Sequence, residues 1–182
     1  MSEEISKSVA PNVRKLEDLG LITVKAEFHA KTARVLVEGT TGVDFPAVGS
    51  INSGKKMSVG WMSTDECLII TDHSSVKKMV HKLETKLGRQ HNFCCDISDS
   101  RCCFELSGQG WREILAKGSP ADVSPETFKI GVFRRTRIRN LAVAFWMTSE
   151  NSVRLICMRS VSDYMNEWRQ TAVESSGRLN YF

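Results

Sequence analysis

Residues 92–128, NFCCDISDSRCCFELSGQGWREILAKGSPADVSPETF, are the stretch whose reading decides the fold. With Ser98 and Asp99 as a two-residue loop, the flanking residues form a hairpin. Ile97 then sits opposite Ser100, Asp96 opposite Arg101, Cys95 opposite Cys102 and Phe93 opposite Phe104. Side chains alternate along a strand, and opposed residues share a face. This register predicts an apolar face of Phe93, Cys95, Ile97, Cys102 and Phe104. The other face carries Asn92, Cys94, Asp96, Arg101, Cys103 and Glu105, with Asp96 and Arg101 as an opposite-charge pair. After residues 106–108, Trp111, Ile114 and Leu115 recur at helical spacing, and Gly118 and Pro120 end the helix. The expected order is a hairpin followed by an amphipathic helix lying on the sheet.

On the N-terminal side, residues 21–28 (LITVKAEF) and 33–38 (ARVLVE) read as strands rich in β-branched side chains, joined by residues 29–32. Residues 39–56 hold Gly39, Gly42, Pro46, Gly49 and Gly54 and read mostly as loop. Residues 56–61 and 67–71 read as a second strand pair. Helix 74–87 is the strongest pattern, with Val76, Met79, Val80, Leu83 and Leu87 on one face and Lys78, Lys82 and Lys86 on the other. Ser74 is placed to cap its start and Gly88 its end.

On the C-terminal side, residues 129–139, 141–147 and 153–158 read as strands, the almost wholly apolar 141–147 as a central one. Helix 161–173 would bury Val161, Tyr164, Met165, Trp168 and Ala172. Strand pairs alternate with single helices. The predicted class is therefore α+β: a mostly antiparallel sheet with helices on one face, close to a ferredoxin-like layout. Residues 1–20 read as a flexible N-terminal arm with a helical turn at Val13, Leu16 and Leu19. Residues 21–174 read as a single domain and residues 175–182 as a C-terminal tail.

At 182 residues the chain suits one domain; its 41% hydrophobic and 25% charged residues are ordinary for a globular protein. A net charge of +4 is too small to imply nucleic acid by itself. No window approaches the roughly 18 consecutive apolar residues that a membrane span needs. The start, MSEEISKSVAPN, lacks the basic and apolar runs of a signal peptide, so the six cysteines read as reduced thiols and the expected location is cytoplasmic.

Few residues suggest chemistry. Cys94, Cys95, Cys102 and Cys103 invite a zinc reading, but neighbouring strand residues point to opposite faces and each face offers two thiols of the four needed. Small buried hydrophobes account better for Cys95 and Cys102. The turn at residues 107–110, SGQG, lacks the third glycine of a dinucleotide fingerprint, Glu113 standing in its place, and no P-loop lysine follows. His29, His73, His81 and His91 are scattered and suggest no triad or metal triplet. The densest basic run is Arg134, Arg135, Arg137 and Arg139. On a strand, Arg135, Arg137 and Arg139 would share a face. Without interleaved aromatics this is no single-strand nucleic-acid platform. It reads either as a solvated edge strand or as a possible subunit interface meeting acidic groups.

The run CDISDSRCCFELSGQGWREILAKG, with Asp122, Pro125 and Phe128 after it, resembles the gamma subunit of heterotetrameric sarcosine oxidase, whose pattern is "DVSDGR…L.GP…REVLAKGC..DL.P..F". GWMSTDECLI at residues 60–69 and RSVSDYMNEW at 159–168 are similar to further segments of that family, so the resemblance covers roughly residues 21–173. Gln109, Cys67 and Ser119 depart from its usual proline, aromatic and cysteine. That family is itself similar to the first folate-binding domain of the aminomethyltransferase (glycine-cleavage T-protein) family. The resemblance implies a chain that is not itself catalytic and holds no cofactor, within a complex that oxidises sarcosine to glycine with release of hydrogen peroxide. The complex passes the one-carbon unit to tetrahydrofolate. Alpha, beta and delta subunits would be its partners and would carry FAD, FMN, NAD and zinc. Alternatives are a subunit of a related secondary-amine dehydrogenase, a stand-alone folate-binding domain, or an RNA-binding domain using the arginine row.

Overall fold

The computed structural model describes residues 12–88 and 91–174; the first part of the expected arm and the tail at 175–182 lie outside them. Along the chain run β1 (Asn12–Leu16), β2 (Leu19–Ala26), α1 (Lys31–Thr41), β3 (Ile51–Ser53), β4 (Ser58–Ser63), β5 (Glu66–Asp72) and α2 (Val76–Leu87). Then follow β6 (Asn92–Asp96), β7 (Arg101–Ser107), α3 (Trp111–Ala116), β8 (Phe133–Ile138), β9 (Leu141–Ser149), β10 (Ser152–Met158) and α4 (Ser162–Glu174). The strands form two five-stranded sheets. One has the order β1-β7-β10-β9-β8, here the first sheet; the other, the second, has the order β3-β4-β5-β2-β6. The neighbours pair antiparallel. The class is the expected α+β one, doubled: each antiparallel sheet carries its helices on one face.

Three apolar layers explain this arrangement. Trp111, Ile114 and Leu115 of α3 and Met165, Trp168 and Ala172 of α4 cover Phe104, Phe145 and Leu155 on the outer face of the first sheet. Val76, Met79, Leu83 and Leu87 of α2, with Ala33 and Val37 of α1, cover Ile22, Val24 and Ile69 of the second. Between the sheets lie Leu21, Ile51, Leu68 and Ile70 against Cys103, Phe133, Ala144, Trp146 and Ile156. Central strands are therefore buried on both sides, which is why β2, β5 and β9 read as nearly unbroken apolar runs rather than alternating ones. Phe133 stacks on Trp146 at 5.6 Å between ring centres. A Cβ at Gly60 would lie 3.0 Å from the Phe133 ring, so any larger residue at this β4 position would have to push that ring aside.

The structure corrects three local expectations. Residues 92–104 do not form a hairpin: β6 belongs to the second sheet and β7 to the first. Residues 97–100 instead cross between the sheets, anchored on β2. Ile97 N–H donates to Leu21 O at 2.8 Å, and Leu21 N–H donates to Ser98 Oγ at 3.0 Å. Asp96 accepts from the Ser98 amide at 2.9 Å and its hydroxyl at 2.6 Å. It has no pairing with Arg101. Hence Phe93 is 54% exposed, and Cys94 rather than Cys95 faces the core.

Residues 33–38 are helix, not strand. A strand would bury Val35 with Ala33 and Val37, but Val35 is exposed while Ala33, Leu36 and Val37 line one helical face. Thr40 and Thr41 hydroxyls back-bond to Leu36 O and Val37 O, and Gly42, at φ 69°, closes the helix with its N–H on Glu38 O. Finally, residues 12–16 of the expected arm, where a helical turn was predicted, are a strand. Their carbonyl and amide groups pair with β7, and Val13 packs on the first core.

At the uncovered end of the inner face of the first sheet, Arg14, Glu105 and Arg154 lie side by side on β1, β7 and β10. Arg14 reaches Glu105 at 2.9 Å and Arg154 at 3.2 Å. Burial acts to raise the Glu105 carboxyl, but hydrogen bonds and charge from both arginines outweigh it and hold it below its ordinary value of 4.5. A carboxyl depressed in this way adds stability above its ordinary pKa and loses it as pH falls through the folded value. Glu105→Gln should therefore be about 1 kcal/mol less stable than the parent at pH 7, the gap closing as pH falls below 4.5 and through the folded value. Urea unfolding at several pH values measures this; a gap independent of pH would show that charge is not its source.

Candidate subunit interface

The predicted arginine row falls on β8, an edge of the first sheet with β9 on one side and no strand on the other among the described residues. Only the start of this edge is covered by the chain itself. Phe133 N–H donates to Gly49 O at 2.8 Å and Ile51 N–H to Gly131 O at 2.9 Å, a crossing made possible by Gly49 at φ 71° and Gly131 at φ 90°.

The four arginines do not act together. Arg135 and Arg137 share the inner face, as alternation requires, and both are exposed. Arg135 reaches across to the second sheet and donates to Met62 O. Arg134 points to the opposite face, near Asp122. The Ser124 amide and hydroxyl, then Thr127 and more weakly Arg134, hold the Asp122 carboxyl below the usual range. Arg139 is not on the strand. It occupies the turn between β8 and β9 at φ 53°, and its N–H donates to Gly118 O at 2.7 Å. A left-handed turn residue cannot continue the strand's alternation.

What the row lacks, the fold supplies from elsewhere. A cleft of about 130 Å³ opens where the inner face of the first sheet emerges from beneath the second. Arg101, Arg135, Met62, Ala142, Ala144, Ile156 and Met158 line it. Arg101 and Met158 were missed by sequence reasoning, which spent Arg101 on a hairpin partner. No local pattern signals either residue, because only the pairing of β7 with β10 brings Met158, 46% exposed at the end of its strand, opposite Arg101. A second groove, between α1 and α2, has Lys82, Lys86 and His81 at its rim and no buried polar side chain.

Among the described residues no constellation for bond-making chemistry converges. Among the described residues no three His, Cys, Asp or Glu side chains come together for a metal ion. Cys94 and Cys95 lie on one sheet, Cys102 and Cys103 on the other. Burial pushes the Cys103 thiol up to about 12 and those of Cys94 and Cys157 to about 11, which leaves them protonated, unreactive core groups at neutral pH. In the 107–110 turn, Gly108 N–H is already donated to Asn151 O at 3.0 Å and is not free to meet a phosphate. Among the described residues no helix is long and apolar enough to cross a membrane.

Residues 27–175 match the sarcosine oxidase, gamma subunit family. The sarcosine oxidase subunit gamma of Corynebacterium sp. (strain U-96) is 27% identical over 139 residues, covering 75% of this chain and 67% of that one. In the solved heterotetrameric sarcosine oxidase of Corynebacterium sp. U-96, one chain superposes with a TM-score of 0.86 at 25% identity, covering 94% of this chain and 88% of that chain. The glycine cleavage system aminomethyltransferase T of Bartonella henselae shares the fold, with a TM-score of 0.66 at 8% identity over 89% of this chain and 46% of its own. With the match spanning most of its length, this chain belongs to the sarcosine oxidase, gamma subunit family.

Proposed function

We propose that this chain is a non-catalytic gamma subunit of a heterotetrameric sarcosine oxidase. That complex oxidatively demethylates sarcosine to glycine with hydrogen peroxide as co-product and passes the one-carbon unit to tetrahydrofolate. The observation that carries the reading is the superposition on a chain of the heterotetrameric enzyme over 94% of this chain. In this reading alpha, beta and delta subunits in the cytoplasm are the partners, and they hold the FAD, FMN, NAD and zinc. The chain's own contribution is a folded surface, and Arg135 and Arg137 on the open edge of β8 are part of the contact. Charged residues on such an edge also keep the free chain from pairing edge to edge before assembly.

Co-purification from the native host through a tag on this chain tests the reading. A yellow eluate with large, medium and small partner bands and sarcosine-dependent peroxide production is the expected result. A colourless single band overturns it.

A further inference from the structure

The cleft beside β8 has a regular plan. On the inner face of the first sheet, Arg101 of β7 lies opposite Met158 of β10, and Ala142 of β9 lies opposite Arg137 of β8. One row further in, Ile156 lies opposite Ala144, and Ala144 opposite Arg135. The floor is thus apolar and the side walls are cationic: Arg101 on one side and Arg135 on the other line the cleft, Met62 of the second sheet overhangs it, and Arg137 stands one row beyond Arg135, opposite Ala142. Among the described residues no carboxylate forms an ion pair with Arg101, Arg135 or Arg137. The strand order β7-β10-β9-β8 puts three spacings between the walls, about 14 Å.

That separation selects the occupant. One small anion would leave the apolar floor of Ala142, Ala144, Ile156 and Met158 between the walls uncovered. A nucleic-acid strand would find no aromatic floor on which to stack its bases. In an extended peptide, residues i−2, i and i+2 face the same way, and the outer two stand about 14 Å apart.

We propose that the cleft receives an extended segment of a partner subunit with the pattern acid–x–large apolar–x–acid. The central side chain enters between Met62 and Met158, and the two carboxylates meet Arg101 on one wall and Arg137 on the other. This rests on the reading of the chain as a subunit of a larger assembly. It adds to that reading the chemistry of the partner segment and two residues, Arg101 and Met158, that the basic run does not contain.

The test uses the full chain and a labelled peptide, Gly-Glu-Ser-Phe-Ser-Glu-Gly, followed by fluorescence anisotropy. Among the described residues the Arg101 and Arg137 side chains make no hydrogen bond or ion pair, so Arg101→Glu/Arg137→Glu should keep the parent's melting temperature. The peptide should bind the parent and weaken with added salt. Affinity should fall about tenfold or more when its acids become lysine, when its phenylalanine becomes serine, or when the double variant replaces the parent. In the tagged complex the double variant should release its partners at a salt concentration that the parent withstands. Equal binding of acidic and lysine peptides, no binding at all, or displacement of the peptide by polyuridine would overturn the inference. So would loss of a homodimer, rather than of partner subunits, in the variant. Wild-type co-purification is a separate readout: if it succeeds while the peptide fails, the assembly reading stands and only the cleft assignment falls.

Discussion

Trp146→Ala should destabilise the fold by about 3–5 kcal/mol, which for a chain of this length lowers the melting temperature by roughly 10 °C. Trp146 is 3% exposed and belongs to the layer between the sheets. Its indole stacks on Phe133, whose ring lies against Gly60 of the opposite sheet. Among the described residues no other large ring belongs to that layer; the remaining members are aliphatic or small. Removal would leave a void bounded by two sheets that are each hydrogen-bonded within themselves and cannot easily collapse inward, and a cavity that cannot close is the costly kind. Phe93→Ala is the contrast. An aromatic of similar chemistry, 54% exposed on the edge strand β6, should change stability by no more than about 0.5 kcal/mol. Chemical denaturation of both variants decides the matter. A loss below about 1 kcal/mol at Trp146 would mean that the inter-sheet layer is not what joins the two halves.

That layer also marks where the sequence stops being legible. Patterns local to one element were readable: the face of α2, the apolar run of β9, the pairs β4–β5 and β9–β10, and the packing stripe of α4 except for Tyr164, which was expected in the core and is exposed. Residues 33–38 failed because Val35, Val37 and their neighbours satisfy both periods over so short a run, and only the exposure of Val35 separates them. Residues 92–104 failed for another reason. A tight turn between two short strands makes pairing look local, yet each strand has a better partner far away: β6 finds β2, and β7 sits between β1 and β10. Nothing in the hairpin's own residues records that competition. The site divides the same way. The arginine row on β8 was visible as a run of charges. Arg101 and Met158 became its counterparts only through the pairing of β7 with β10 and β10 with β9, long-range registers that no short window contains.

The stretch that carries the family resemblance has its own expected result, which shows what such a motif is for. Arg112 lies on α3 and stacks over Trp111 at 4.3 Å. Its guanidinium donates to Val123 O at 2.5 Å and Phe128 O at 3.0 Å. Those carbonyls sit on the long connection from α3 to β8, which is pinned by Phe128, fully buried edge-on to Trp111 and Phe145, and by Asp122 capping the Ser124 amide at 2.9 Å. One cation thus satisfies two backbone acceptors while its own face rests on an indole. Arg112→Met, which keeps the apolar stem, should destabilise the chain by about 2–3 kcal/mol, because two half-buried carbonyls lose a charged donor and the indole loses its cation. Arg112→Lys should recover only part of this, since a single ammonium cannot bridge both carbonyls and stack as well. Limited proteolysis within residues 117–132 should accelerate in both variants, because this connection precedes β8 and sets where the Arg135 and Arg137 wall begins. Variants within about 0.5 kcal/mol of the parent, with unchanged cleavage, would show that Phe128 alone holds the connection and that Arg112 is surface charge.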